Sequence, residues 1–262
     1  EGEKYLILPP GYAQPLPEGY TPIRSPSNTA FLGLRLLGKV EGEALERLIR
    51  GVRSYPWSER LNPPVKQAVR PANKKWSQVP PTGMKFWERV AEIVGSEKTE
   101  ERDRFVVAHL KNLGIERGKP FKPDDRQRKI LEDAAVVGEA MARVNAFDKR
   151  VEPPFWEGTH WKDALVVTES QLKDDLYQFD ERAAWFFEAV TISPKMRSNK
   201  PGEGMRYIAA YQDKNGDWLI GDNSYRLRVP ANPPAEQFWS VTAYDQANRQ
   251  FIVNSTKSPD VS

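Results

Sequence analysis

The chain has 262 residues, 29% of them charged, and no apolar run near the ~20 residues a membrane-spanning helix needs. Its net charge of +3 is the small difference between 39 basic and 36 acidic residues. The two signs are interspersed rather than gathered into the basic stripe of a nucleic-acid-binding protein, and the absence of cysteine excludes disulfides, Cys-ligated zinc and thiol catalysis.

Tyr5–Leu8 reads as a short strand stopped by Pro9-Pro10-Gly11, and Tyr20–Arg24 as a second strand. The two form either a hairpin or neighbouring strands of a larger sheet. From about Ser25 the apolar period turns helical. Leu45, Leu48, Ile49 and Val52 predict a helix over Glu43–Tyr55, ended by Pro56. Ser58–Pro81 is proline-rich and aperiodic, an irregular surface segment. Phe86, Val90, Ile93 and Val94 mark a second helix stopped by Gly95. Phe105, Val106, Leu110 and Leu113 mark a third, ending at Gly114. Asp124 is placed to cap a fourth helix whose apolar stripe is Ile130, Ala134, Val137, Met141 and Val144, running to about Asn145.

Val151–Thr168 reads as an aromatic loop, and Gln171–Val190 returns to helical period through Leu172, Leu176, Phe179, Ala183, Phe186 and Val190. The basic group Lys195, Arg197 and Lys200 reads as a solvated loop. Beyond it the pattern is β. Met205–Tyr211 and Trp218–Ile220 flank Asn215-Gly216, a strong hairpin signal. Gly221-Asp222-Asn223 makes the next turn. Tyr225, Leu227 and Val229 alternate with Arg226 and Arg228, as in a strand buried on one face. Phe238–Tyr244 is denser in apolar residues, like a central strand, and Gln250–Val253 is the final strand. The fold class is therefore α+β: β over 1–25, helical over 26–150, and β over 151–262 with a leading helix.

Several stretches resemble a known pair of families. Tyr5–Tyr12, Arg24-Ser25-Pro26, Ser54-Tyr55-Pro56, Asn62-Pro63-Pro64 and Gly114–Phe121 resemble the domain of unknown function 1254. Tyr211-Gln212-Asp213, Gly221, Tyr225–Pro230, Phe238–Val241 and Tyr244-Asp245 resemble the domain of unknown function 1214, which follows it in the same proteins. The resemblance implies an Ig-like β domain, a helical domain and a jelly-roll β-sandwich, with both β parts incomplete here. It also implies a periplasmic or extracellular home, and it transfers no catalytic residue. Two to five strands do not cover their own apolar faces, so the expectation is a homo-oligomer, or completion by further parts of the same polypeptide.

Candidate chemistry is sparse. His160, in Trp156-Glu157-Gly158-Thr159-His160-Trp161, could serve as a general base oriented by Glu157 or Asp163, but it reads first as a structural residue packed among the tryptophans. His109 reads as a packing residue. The pairs Asp124/Asp125, Asp174/Asp175 and Asp180/Glu181 read as solvated helix faces. Glu188, late in an apolar helix, and Asp245, after strand residue Tyr244, are the carboxylates that would serve a glycan hydrolase. Trp156, Trp161, Trp218, Tyr225 and Trp239 fall in the second half and would line an aromatic pocket, as sandwiches use for flat ligands, or simply fill the core. No metal or cofactor is expected, and no nucleotide-binding or nucleophile-elbow motif occurs. The leading expectation is a ligand-binding or assembly module taking a small molecule or glycan; the alternative is a hydrolase acting on glycans.

Overall fold

The computed structural model describes residues 3–34, 40–64, 79–148, 152–164, 167–168, 170–189, 205–229, 231–233, 235, 239–247, 249, 252 and 260–261. The chain divides into two compact units, Glu1–Trp76 and Ser77–Ser262. Helices and small sheets coexist, an α+β composition.

In the first unit, β1 (Tyr5–Leu8) pairs with β2 (Thr21–Arg24) in parallel, with Tyr5 opposite Thr21 and Leu8 opposite Arg24. The pairing rules out the hairpin and leaves the neighbouring-strand reading. The physical reason is the connection through residues 9–20, long enough to carry the chain back to the same end of the sheet, as a parallel crossover requires. Gly11, at φ 78°, allows the tight turn in which Tyr12 N donates to Pro9 O at 3.2 Å. Leu8 is the buried anchor of the pair. Helix α1 covers Gly42–Gly51 and stops short of the expected Tyr55, because Val52 already has extended backbone.

In the second unit, α2 (Met84–Ser96) runs through Gly95 and ends where Ser96 Oγ donates to the Glu92 carbonyl at 2.9 Å. Helix α3 (Arg104–Leu110) continues as a 3-10 turn to Leu113 and stops at Gly114, whose φ of 75° is left-handed. Helix α4 (Asp125–Phe147) begins as expected, with Asp124 Oδ1 accepting from Gln127 N at 2.7 Å. Its buried side is not the expected one. Leu131 and Ala146 are buried, with Ala135 and Ala142 half-buried along the same side, whereas Ile130, Val137, Met141 and Val144 are exposed. Small side chains let α5 (Phe179–Ala189) approach closely, so Ala142, Ala146 and Phe147 pack with Ala184 and Phe187. Trp87 Nε1 donates to Leu131 O at 2.7 Å and ties α2 to the same helix.

The segment expected as one helix over Gln171–Val190 opens instead as a hairpin, β4 (Leu172–Lys173) against β5 (Leu176–Tyr177). Asp174 and Asp175 make its turn at φ 52° and 63°. Two consecutive left-handed residues define the two-residue turn that matches strand twist, so this carboxylate pair sits on a turn and not on a helix face. The loop 151–168 supplies β3 (Lys162–Asp163), paired antiparallel with β6 (Ile208–Ala209). Asn215-Gly216 turns as expected: Asp213 N donates to Asp217 O at 2.8 Å, and Gln212 bridges Trp218. Tyr225–Val229 differs from expectation. Both its faces are exposed, and among the described residues no strand pairs with it. Among the described residues of the dense run, β7 (Trp239–Ser240) is the strand, paired antiparallel with β8 (Asp260–Val261). Phe238, and Gln250–Val253 apart from Ile252, lie outside the described residues.

Candidate functional site

The end of α4, the last turn of α5 and the strand-turn after β6 meet around Tyr211. Phe147 stacks edge-to-face on Phe187 at 5.8 Å and on Tyr211 at 4.9 Å. The Tyr211 hydroxyl donates to Glu188 Oε1. Burial, followed by the charge of Glu188 and the hydrogen bond to it, pushes the Tyr211 phenol well above its ordinary 10.0. The phenol therefore stays protonated, a donor toward Glu188, across the physiological range.

Arg249 also lies over the Phe187 ring, its guanidinium 3.8 Å from the centroid, with Arg143 at 5.1 Å. Arg143 forks onto Glu139 Oε1 through Nε at 3.2 Å and Nη2 at 3.0 Å. The three guanidinium nitrogens of Arg249 are buried and have no hydrogen-bond partner among the described residues. Burial and the nearby Arg143 lower its pKa, against the opposing pull of Glu139 and Glu188. Its backbone is left-handed at φ 57°, closed by Arg249 N donating to Asp245 O at 2.7 Å. Two arginines thus face two glutamates around one ring, a cluster balanced in formal charge.

A narrow cavity of about 10 Å³ borders this cluster, lined by Phe147, Asp148, His160, Lys162, Ala209, Tyr211 and Gln212. That is about the volume of one water-sized sphere, far below the several hundred Å³ that hold a small organic molecule. His160 packs against the turn at Gly216, where a Cβ would stand 3.8 Å from its Cε1 and Nε2. Gln212 Nε2 donates to Gly216 O at 3.1 Å and fixes that turn.

Of the residues singled out from sequence, His160 lines this cavity and Glu188 reaches it through Tyr211. Asp245 is part of the turn that carries Arg249, its Oδ1 accepting from Ala247 N at 2.8 Å. None of the five aromatic candidates lines the cavity. Trp156 is exposed and stacks edge-to-face on Phe155 at 4.8 Å. Trp161 is half-buried, its carbonyl accepting from Phe155 N at 2.6 Å. Trp239 is half-buried on β7. Trp218 and Tyr225 are 49% and 46% exposed on the segment after the Asn215-Gly216 turn. The Tyr225 hydroxyl accepts from Ile220 N at 2.7 Å and from Asn223 Nδ2 at 3.3 Å, which holds its ring over the turn beyond Trp218. Sequence reasoning missed Arg249, Arg143 and the role of Tyr211. Arg249 stands in an irregular turn with no period, and its burial depends on a ring sixty-two positions earlier, at Phe187.

Residues 204–262 match a family model described as a protein of unknown function (DUF1214). Comparison with curated proteins finds no match. Among solved structures, the chain is similar to the VPA0106 protein from Vibrio parahaemolyticus, at 18% identity and a TM-score of 0.46 over 97% of this chain. The chain spans 58% of that protein's length.

Proposed function

We propose that this protein is a ligand-binding module whose contact surface is formed by exposed aromatic rings of its C-terminal β segment, with a glycan or another flat small molecule as ligand. The observation that carries this reading is the exposure of Trp218 and Tyr225 on one stretch held by paired turns. Exposed rings fixed on a rigid backbone contribute contact area at little entropic cost, and amphipathic aromatics suit a ligand with apolar faces and polar edges. Both rings fall within the residues matched by the family model.

Hydrolysis finds less support. Glu188 is engaged by Tyr211, and Asp245 by the backbone of Ala247. Asp148 and His160 do line one cavity, but at about 10 Å³ it has no room for a sugar ring. The resemblance to the two families further leads us to propose a jelly-roll sandwich for the C-terminal β part, an Ig-like setting for the first strands, assembly beyond one chain, and a periplasmic or extracellular location. Fractionation of cells expressing the natural gene tests the location, and recovery in the cytoplasmic fraction overturns it.

The experiment for the binding surface is tryptophan fluorescence titration against a panel of oligosaccharides. At least one is expected to give saturable quenching, with Trp218→Ala and Tyr225→Ala each weakening it about tenfold. Full affinity in both variants overturns the assignment of the surface.

A further inference from the structure

A second cleft, of about 300 Å³, lies between α2 and the segment after α3, lined by Glu88, Ala91, Glu92, Lys119 and Phe121. We propose that it binds a singly charged organic amine with an apolar body.

Both walls are fixed by interactions away from the cleft. On one side, the indole of Trp87 donates to the Leu131 carbonyl and sets the rotation of α2. On that helix Glu88 and Glu92 stand one turn apart, so both carboxylates face the same way. On the other side, Ile115 is buried, Ile115 N donates to Leu110 O at 3.1 Å, and Gln127 Nε2 donates to Leu113 O at 2.8 Å. Lys119 N then donates to Glu116 O at 3.2 Å, closing the turn that leads to Phe121. The backbone of both walls is therefore fixed before a ligand arrives, which lowers the ordering cost of binding.

Its chemistry selects the ligand. Glu92 is compensated by Arg89, and Lys119 by Glu116 at 2.9 Å. Glu88 forms no ion pair or hydrogen bond among the described residues, so one negative charge is left for a ligand cation. Phe121 offers an aromatic surface, which attracts an ammonium and covers an apolar body. With Glu92 and Lys119 each paired, Glu88 is, among the described residues, the one uncompensated charge at the cleft, enough for one ammonium and not for two. The volume lies at the lower end of small-molecule sites.

The test is isothermal titration of the intact chain with 2-phenylethylammonium, beside the neutral 2-phenylethanol and the anionic 3-phenylpropionate. Saturable binding of the amine alone is expected, weakening with added salt. Glu88→Gln should weaken it at least about threefold, with an unchanged circular dichroism spectrum. Glu92→Gln, whose charge Arg89 already balances, should weaken it less. Equal binding of the neutral compound, no saturation up to about 50 mM amine (a contact worth less than about 2 kcal/mol), or unchanged affinity in Glu88→Gln overturns the proposal.

Discussion

Tyr211 shows how a single residue links burial to pH. Its phenol is raised well above its ordinary 10.0 in the folded chain, chiefly by burial. In the unfolded chain it ionises near that ordinary value, so its contribution to stability is complete below about pH 10 and is lost as pH rises toward the folded pKa. Tyr244, raised by burial and by Tyr207, acts in the same direction. Unfolding free energy should therefore fall as pH rises above about 10, and Tyr211→Phe should flatten that fall. Urea titrations at three pH values measure this; an identical slope in the variant would show that Tyr211 does not carry it. Asp124 makes a simpler case. Its carboxylate accepts from Gln127 N, and Asp124→Ala should cost about 1 kcal/mol in chemical denaturation. An unchanged midpoint would mean that the first turn of α4 is held without the cap. The cap was legible in the sequence because its signal is local. Tyr211 and Arg249 were not, because what defines them is contact with Glu188 and Phe187, residues no local pattern connects to them.

Elements were legible where local and long-range preferences agree. Helix α4 has a cap, length and good helix formers, and it forms where expected. Its buried side departs from the sequence expectation because the large apolar residues Ile130, Val137 and Met141 dominate the periodic signal, while tight packing on α5 favours Ala142 and Ala146. The β4–β5 hairpin departs from the expected helix for a related reason. Leu172, Leu176 and Phe179 fall at positions i, i+4 and i+7, but Asp174 and Asp175 take left-handed backbone that ends any helix. That strain makes a prediction. Replacing Asp175, at φ 63°, with glycine should raise stability by about 0.5 to 1 kcal/mol, whereas Asp175→Val should lower it by at least as much. Thermal melts of the two variants decide this, and a stable valine variant would place the turn elsewhere. Gly114, left-handed at φ 75° at the end of the α3 turn, should lose about 1 kcal/mol on substitution by alanine by the same reasoning.

Across the molecule, the mixture of helices and strands was readable from periodicity, whereas the strand pairing was not. Strand patterns report which residues alternate; they do not report which partner covers them. Tyr225–Val229 alternates like a half-buried strand, yet Tyr225, Leu227 and Val229 are exposed in the folded chain. The same exposure leaves Trp218 and Tyr225 available to a ligand. The carboxylates Glu188 and Asp245 each serve a neighbour within the fold, so the function we propose is binding and not hydrolysis. The most direct measurement combines both readings in one sample. The oligosaccharide that quenches tryptophan fluorescence is incubated with the protein, and reducing ends are counted over time. Saturable quenching with no new reducing ends is the predicted result. Steady release of reducing ends, abolished by Glu188→Gln or Asp245→Asn, would contradict it and make the protein a hydrolase.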